Sequence, residues 1–301
     1  MTVGIAALAM RSNAIVLMAD KLITHANDLK LEREETKGGW LPEGWLALYA
    51  GGTTFADAVL SHLPALVEKQ AEEGKRFGDY EMDVLQTFHD AYLDVWDFVV
   101  EQEIMRPRHV TMREYREQLD PALRERIDAD RAKYADEVAP DFLVCGFDSV
   151  GIGHVLRVGL DTMEKEGAFS AIGSGGDVAH ARLVWQKTNA DDELARVVYE
   201  VYTAKRHAEM ELHVGEDFDA YVMYGNGQSK LRAISPDSKA TLRTVFSYYD
   251  QTPFRIATRP QERTALPEPP ADWERAFIYN KLPLPDHLVP IRKSILGEDE
   301  P

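Results

Sequence analysis

The sequence contains only one cysteine, Cys145, so the chain cannot form an intrachain disulfide. Cys145 lies in the apolar run at residues 142–147, which indicates a core residue and not a reactive thiol. No apolar run approaches the roughly 18 to 20 residues that a membrane-spanning helix needs. We therefore expect neither a disulfide-rich secreted protein nor a membrane protein, and a cytoplasmic location is predicted.

Basic residues are in the minority. The chain has 34 Lys and Arg against 51 Asp and Glu, which gives a formal net charge of −17. Nucleic acid and anionic lipid would be repelled on average by such a surface. The charge balance therefore argues against nucleic acid and membrane as main partners.

Several catalytic and ligand-binding motifs are also missing. There is no Gly-x-Ser-x-Gly elbow for a Ser-His-Asp hydrolase. The glycine-rich residues 173–176 open a predicted helix, but they lack the Gly-x-Gly-x-x-Gly fingerprint and the P-loop lysine of nucleotide-binding sites. The nine histidines show no metal-ligand spacing with a third ligand nearby. The sequence therefore predicts no metal and no cofactor.

The strongest positive pattern is at the start of the chain. Residues 3–9 and 14–20 are apolar and are joined by a polar turn, which predicts a β-hairpin. No signal-peptide pattern precedes this hairpin, so Thr2 is expected to begin a core strand. A small second residue generally allows removal of the initiator Met1, and removal would leave a hydroxyl and a free α-amine on Thr2. An amine with a pKa near ~8 can accept the hydroxyl proton at neutral pH, so one residue would supply both nucleophile and base.

The residues that follow offer supporting groups for such a nucleophile. Asp20 ends the second strand, and Lys37 follows seventeen residues later. A buried lysine with a carboxylate partner could orient the hydroxyl and lower the pKa of the amine. Gly51 and Gly52 end the next apolar run, at residues 45–50, and glycines at a strand-to-helix turn present backbone N–H groups that could form an oxyanion hole.

These motifs together resemble the start of a proteasome β-type subunit and of its bacterial ring-protease relatives, which are N-terminal nucleophile hydrolases with a catalytic threonine. The resemblance is carried by Thr2-Val-Gly-Ile, Ala19-Asp-Lys-Leu-Ile-Thr24, Lys37 and Ala50-Gly-Gly-Thr-Thr-Phe-Ala-Asp57. The steps from Lys37 to Gly51 and from Asp20 to Thr24 match the family pattern, whereas the step from Asp20 to Lys37 is one residue longer. A second match is the strand, Gly-Ser-Gly turn and helix at residues 167–181.

The resemblance implies an α+β fold, a four-layer αββα sandwich, and hydrolysis of peptide or amide bonds. It assigns roles to six residues: Thr2 as nucleophile and base, Lys37 to polarise the hydroxyl, Asp20 to orient Lys37, Gly51 as oxyanion donor, and Ser174 and Glu211 to hold the amine. The assignment of Glu211 depends on the register of the loop before residue 215, and a small slip would replace it with Glu209 or His207. At Val214 the family has a hydroxyl that this chain lacks.

The family's specificity pocket maps near residues 23, 35, 39, 49, 53 and 57, and we take Ile23, Thr24, Tyr49, Thr53 and Asp57 as candidate pocket residues. With carboxylates at Glu35 and Asp57, such a pocket would favour a basic residue before the cleaved bond. The alternative is that Asp57 is a surface residue of a helix.

Periodicity predicts the rest of the domain. Helices are expected at about 53–72, with a kink at Pro64, at 80–103 and at 191–210, and hairpins at 141–160 and 214–234. The resemblance covers roughly residues 2–104 and 140–234, so we predict one domain at 2–235. A charged helical insertion at about 105–139 is read as solvated or as part of a ring interface. Residues 236–301 are rich in proline and predict an extended arm.

Three functions remain open at this point. The first is a threonine-type peptidase. The second is a non-catalytic ring or scaffold subunit, because Thr2 could align with the family's third residue and a retained Met1 would block the amine. The third is a small-molecule amidase on the same fold. The resemblance also implies self-association into a ring or helical stack and a peptide or protein substrate; an ATPase partner cannot be read from the chain.

Overall fold

The computed structural model describes residues 3–24, 30–32, 37–117, 119–211, 214–225 and 230–249. Its strands, in chain order, are β1 Val3–Ala9, β2 Ala14–Asp20, β3 Leu22–Thr24, β4 Lys30–Glu32, β5 Gly38–Trp40, β6 Leu46–Ala50, β7 Asp141–Phe147, β8 Gly153–Val158, β9 Met163–Lys165, β10 Phe169–Gly173, β11 Phe218–Tyr224 and β12 Lys230–Ala233. Its helices are α1 Thr53–Glu72, α2 Glu81–Val100, α3 Met112–Glu117, α4 Pro121–Val138, α5 Gly176–Gln186, α6 Leu194–Ala208 and α7 Pro236–Tyr249.

Two five-stranded antiparallel sheets form the centre of the fold. The first has the order β10-β1-β2-β11-β12, and the second has the order β5-β6-β7-β8-β9; β3 and β4 form a separate two-stranded sheet. The predicted hairpin of β1 and β2 is present, with Gly4 opposite Ala19 and Ala9 opposite Ala14. All residues of both strands are buried, which explains why they read as continuous apolar runs and not as an alternating pattern.

Three hydrophobic clusters hold these elements together. One contains side chains from both sheets, among them Ile15, Leu17, Leu48, Leu143 and Cys145. A second joins the other face of the first sheet to α5, α6 and α7. A third joins the other face of the second sheet to α1, α2 and Ile127 of α4. Since successive side chains of a strand point to opposite faces, β2 contributes Leu17 to the first cluster and Val16 and Met18 to the second. The protein is thus a mixed α+β fold whose two sheets are compatible with a sandwich.

The predicted helices are present: α1 has the expected ends, and α2 and α6 have shifted ends. The helix α1 continues through Pro64 to Glu72, and its buried side chains are Phe55, Ala56, Val59 and Leu63. The helix α2 ends at Val100 and passes into a wider π turn at Glu101–Met105. The helix α6 is three residues shorter at its start than the periodicity indicates and carries the expected inward residues Leu194, Val197, Val201, Ala204 and Ala208.

The charged segment at 105–139 is less exposed than the sequence indicates. Its main helix, α4, begins where the carboxylate of Asp120 accepts hydrogen bonds from the N–H groups of Ala122 and Leu123. Ile127 on this helix is fully buried against the cluster of α1 and α2. The opposite face carries exposed ion pairs such as Lys133–Glu137. The segment therefore packs on the domain through one face.

The packed part of the chain extends past the expected boundary at residue 235. Residues 236–249 form α7 instead of the start of an extended arm, and Leu242 and Val245 are buried in the cluster with α5 and α6. The sequence did not predict this helix, because the prolines from residue 260 onward indicated an extended conformation for the whole of residues 236–301. The rest of the predicted arm, residues 250–301, lies outside the described residues.

Candidate active site

Asp20 is the centre of the candidate site. It is the last residue of β2 and is 1% exposed. Its Oδ1 accepts hydrogen bonds from the backbone N–H of Val3, at 3.2 Å, and from Nζ of Lys37, at 3.3 Å. Its Oδ2 accepts a third bond from the N–H of Gly215, at 3.0 Å. Three chain segments far apart in sequence are therefore joined by one carboxylate.

Lys37 and Asp20 form a buried ion pair. The lysine is 6% exposed, and its backbone oxygen accepts a hydrogen bond from the N–H of Tyr49, so the residue is fixed beside β6. Burial lowers the pKa of Lys37, and the negative charge of Asp20 opposes part of that shift. Burial likewise raises the pKa of Asp20, against the effect of Lys37 and of the two N–H donors. The site thus holds a lysine whose proton is bound less tightly than in water.

The start of β1 brings further candidate residues to this place. Val3, the first described residue, is opposite Gly173 of β10, and Ser174 follows Gly173 in the turn to α5. A Cβ on Gly4 would lie 3.2 Å from Ile172 and 3.8 Å from Leu48, which shows that the start of β1 contacts both β10 and β6. Thr2, the predicted nucleophile, lies outside the described residues.

Gly51 occupies a conformation that suits its predicted role. It follows β6 directly and has φ +121°, where residues with a side chain are strained. A Cβ at this position would also lie 2.8 Å from the Cα of Pro140. Both constraints require glycine at this turn. Gly51 is two residues after Tyr49, whose backbone N–H donates a hydrogen bond to the backbone oxygen of Lys37.

The two residues predicted to hold the amine differ in their surroundings. Ser174 is exposed in the turn between β10 and α5 and takes part in further interactions. Glu211 is exposed in the turn after α6. Glu209, the alternative that a register slip allows, is instead largely buried and forms ion pairs with Lys205 and Arg206. The structure therefore brings a carboxylate of this segment into the interior at Glu209 and not at Glu211.

Lys205 is a buried residue near the site that the sequence analysis missed. It is fully buried, and Nζ donates hydrogen bonds to the carboxylate of Glu209 and to the backbone oxygen of Glu216. Burial lowers the pKa of Lys205, while the carboxylates of Glu209 and, more weakly, Asp20 raise it. The available signal was the spacing of Lys205 and Glu209, which are four residues apart at the end of α6 next to the inward residues Ala204 and Ala208.

The predicted pocket residues lie on three different elements, β3, β6 and α1. Tyr49 is 5% exposed and packs against Phe142 in the cluster facing α1 and α2. Thr53 and Asp57 lie on the first turns of α1, where Asp57 is exposed, as the surface alternative expects. The backbones of Ile23 and Thr24 belong to β3, and their side chains, like Glu35, lie outside the described residues.

No model of a known protein family matches the chain, and a search of curated proteins finds no match. Within the described residues, every helix is too short or too polar to cross a lipid bilayer.

Proposed function

We propose that this chain is a threonine-type N-terminal nucleophile hydrolase that cleaves peptide or amide bonds and is related to proteasome β-type subunits. The observation that carries the proposal is the buried Asp20–Lys37 pair, whose carboxylate also binds the N–H of Val3. That N–H belongs to the residue directly after Thr2. The lysine that the resemblance assigns to the nucleophile is thereby fixed next to the start of β1.

The order of the packed elements supports the same proposal. The clusters of the fold run from α5 and α6 through the first sheet, the second sheet and then α1 and α2. This order is what a four-layer αββα sandwich requires. Gly51 lies in the turn from β6 into α1 and Ser174 in the turn from β10 into α5, and these positions support the roles that the resemblance implies for them.

In the proposed reaction, the α-amine of Thr2 accepts the proton of its own hydroxyl while Oγ attacks the carbonyl carbon of the substrate. Lys37, with its lowered pKa, donates a hydrogen bond to the hydroxyl oxygen, and Asp20 holds Lys37 in position. The N–H of Gly51 stabilises the oxyanion. The α-amine of Thr2 then passes the accepted proton to the nitrogen of the leaving group as the C–N bond breaks, and the ester left on Thr2 is cleaved by water, which restores the hydroxyl.

Self-association is part of the proposal, and exposed apolar side chains support it. Phe98 on α2 is 64% exposed and Trp185 on α5 is 71% exposed, while Tyr80, just before α2, is 68% exposed. Large apolar side chains on helices that cover the sheets are suited to contacts between copies of the chain. A ring or stack built this way would hold a peptide or protein substrate in a shared chamber.

The test is the intact mass of the purified chain before and after treatment with a peptide epoxyketone. We expect loss of the mass of Met1 and one covalent adduct per chain. The variant Thr2→Ala should form no adduct. Thr244→Ala is the matched control, because this exposed threonine on α7 bonds only the oxygen of Ala240 in its own helix among the contacts described, and it should retain full labelling.

A chain that keeps Met1 and forms no adduct would contradict the proposal. The non-catalytic ring subunit would then be the better interpretation, because its contacts between copies do not need a free α-amine. Equal labelling of the Thr2→Ala variant would instead place the nucleophile elsewhere and would equally reject Thr2.

A further inference from the structure

A side-chain cluster far from Asp20 in the chain has the composition of a metal site. Glu81 lies in the first turn of α2, Asp148 follows β7, and His154 lies on β8. One carboxylate oxygen of each acid and one ring nitrogen of the histidine lie within 4.8 Å of one another. From this geometry we infer that Glu81, Asp148 and His154 bind a divalent transition-metal ion such as Zn²⁺ or Mn²⁺.

The distances suit ligands of one ion. Nε2 of His154 is 3.0 Å from Oδ2 of Asp148 and 4.0 Å from Oε2 of Glu81. Ligand atoms at about 2.1 Å from a shared ion lie at most about 4.2 Å apart, so both separations are compatible with coordination. The distance to Glu81 exceeds that of a hydrogen bond, so this carboxylate is not there as the direct partner of the imidazole.

Both carboxylates are oriented by hydrogen bonds to the oxygen that faces away from His154. Oδ1 of Asp148 accepts hydrogen bonds from the N–H groups of Val150, at 3.0 Å, and Ile152, at 2.9 Å. Oε1 of Glu81 accepts a bond from Nζ of Lys165, at 2.7 Å. In both acids the other oxygen therefore faces the imidazole. Outer contacts that orient the ligating atoms are a regular feature of protein metal sites.

The histidine itself is fixed and nearly buried. His154 is 6% exposed, and its ring is parallel to that of Trp45, with centroids 6.4 Å apart. The carboxylates of Asp148 and Glu81 are 10% and 22% exposed, so an ion could reach the site from solvent and keep water ligands. This is more than an acidic surface cluster, because its nitrogen ligand is buried and immobilised.

The donor set determines the class of ion. One imidazole nitrogen and two carboxylate oxygens suit Zn²⁺, Mn²⁺ and similar ions, whereas Ca²⁺ and Mg²⁺ prefer oxygen ligands alone. The two carboxylates outnumber Lys165, the cationic side chain that binds Glu81, and this excess of negative charge favours a cation. The ion would tie the start of α2 to the β7–β8 turn, where Ser149 also donates a hydrogen bond to the oxygen of Asp79.

The experiment is titration of the untagged, full-length, metal-free chain with Zn²⁺ and, separately, Mn²⁺ by calorimetry, together with thermal unfolding. We expect one ion at this site and an increase in Tm on saturation. The variants Glu81→Gln and Asp148→Asn should each weaken binding by at least about tenfold, the lower range for disturbed metal sites, and should lose the increase in Tm. Glu81→Gln is the decisive variant because the residue is partly exposed and the fold should tolerate it.

The matched control is His62→Gln. His62 and Asp94 form an exposed histidine–carboxylate pair at 3.2 Å, and loss of this pair should leave the binding constant and the Tm increase unchanged. Unchanged affinity in both Glu81→Gln and Asp148→Asn would overturn the inference, as would a wild-type chain that binds neither ion. In those cases His154 and Asp148 are a hydrogen-bonded pair only.

Discussion

Asp20 accepts three hydrogen bonds in a place where water cannot replace them. The same carboxylate positions Lys37 for the proposed catalysis and binds the start of β1 and the loop at Gly215. Its loss should therefore affect both the activity and the stability of the fold. Removing one member of a buried ion pair leaves the other charge without compensation.

Asp20→Asn should lower the free energy of unfolding by about 3–5 kcal/mol, the cost of breaking a buried pair. The control is Asp217→Asn, because Asp217 pairs with Arg243 at 3.1 Å in a half-exposed position and its loss should cost about 0–1 kcal/mol. Urea unfolding of the two variants measures both values. Equal, small losses in the two variants would show that the Asp20 carboxylate is not needed by its partners.

The cost of Asp20→Asn should also depend on pH. Burial holds the folded-state pKa of Lys37 below its ordinary value of 10.5, so this residue binds fewer protons in the folded than in the unfolded chain between those two values. Its stability therefore rises with pH across that window and is lowest below the folded-state pKa. In the variant, the loss should be largest where Lys37 is charged and should shrink toward pH 10.

How far these residues could be predicted depends on their separation in the chain. The pairing of Asp20 with Lys37 was predictable, because the spacing within the first 52 residues carried a family resemblance. The proximity of Lys205 to Asp20 was not, because it depends on how α6 packs against the first sheet. The same holds for Glu81 and His154, which belong to elements that meet only in the folded protein.

At the scale of single elements, strand β7 packs against the ring of Trp45 at Gly146, which has no side chain. A Cβ on Gly146 would lie 2.2 Å from Cδ2 of Trp45, and that ring is fully buried. An indole in a packed core cannot move aside without displacing its neighbours. The glycine at this position is therefore required by packing and not by backbone conformation.

We expect Gly146→Ala to destabilise the protein by about 1–3 kcal/mol or more, which is typical of overpacking. Gly167→Ala is the control, because a Cβ there has no heavy atom within 4 Å, and its effect should stay within about 0.5 kcal/mol. Thermal or urea unfolding of both variants is the measurement. A Gly146→Ala variant as stable as the control would mean that Trp45 can occupy a different position.

Elements were more predictable than their ends and contacts. The apolar periodicity of α2 and α6 and the runs of β1, β2 and β7 predicted type and place. The helix α7 was missed, although Leu242 and Val245 have helical spacing, because the composition of residues 260–290 outweighed a fourteen-residue segment. The composition of a segment is an average over its length, so it does not show which residue is the last to pack against the domain.

On the scale of the whole molecule, truncation after α7 and truncation before most of α7 should have different effects on stability. A chain ending at Tyr249 keeps all three clusters and should match the full-length chain in Tm. A chain ending at Asp237 loses Leu242 and Val245 from the cluster with α6, and it should unfold at clearly lower urea concentration, since burial of one Leu alone is worth about 2–5 kcal/mol.

Size-exclusion chromatography of the chain ending at Tyr249 tests the arm separately. If residues 250–301 contact a neighbouring copy, this chain should elute as a smaller species than the full-length protein. An unchanged position would count against such a role. Equal stability of the two truncated chains would show instead that α7 adds nothing to the packed domain.

Reaction of Cys145 with a thiol reagent can report on separation of the two sheets. The thiol is fully buried between the two sheets, and burial raises its pKa, so a thiol reagent cannot react with it in the closed state. Because it is the only cysteine, any label that the native protein takes up records a moment when the sheets have parted. At a reagent concentration high enough for labelling to outpace reclosing, the labelling rate therefore equals the opening rate, without a mutation and without denaturant.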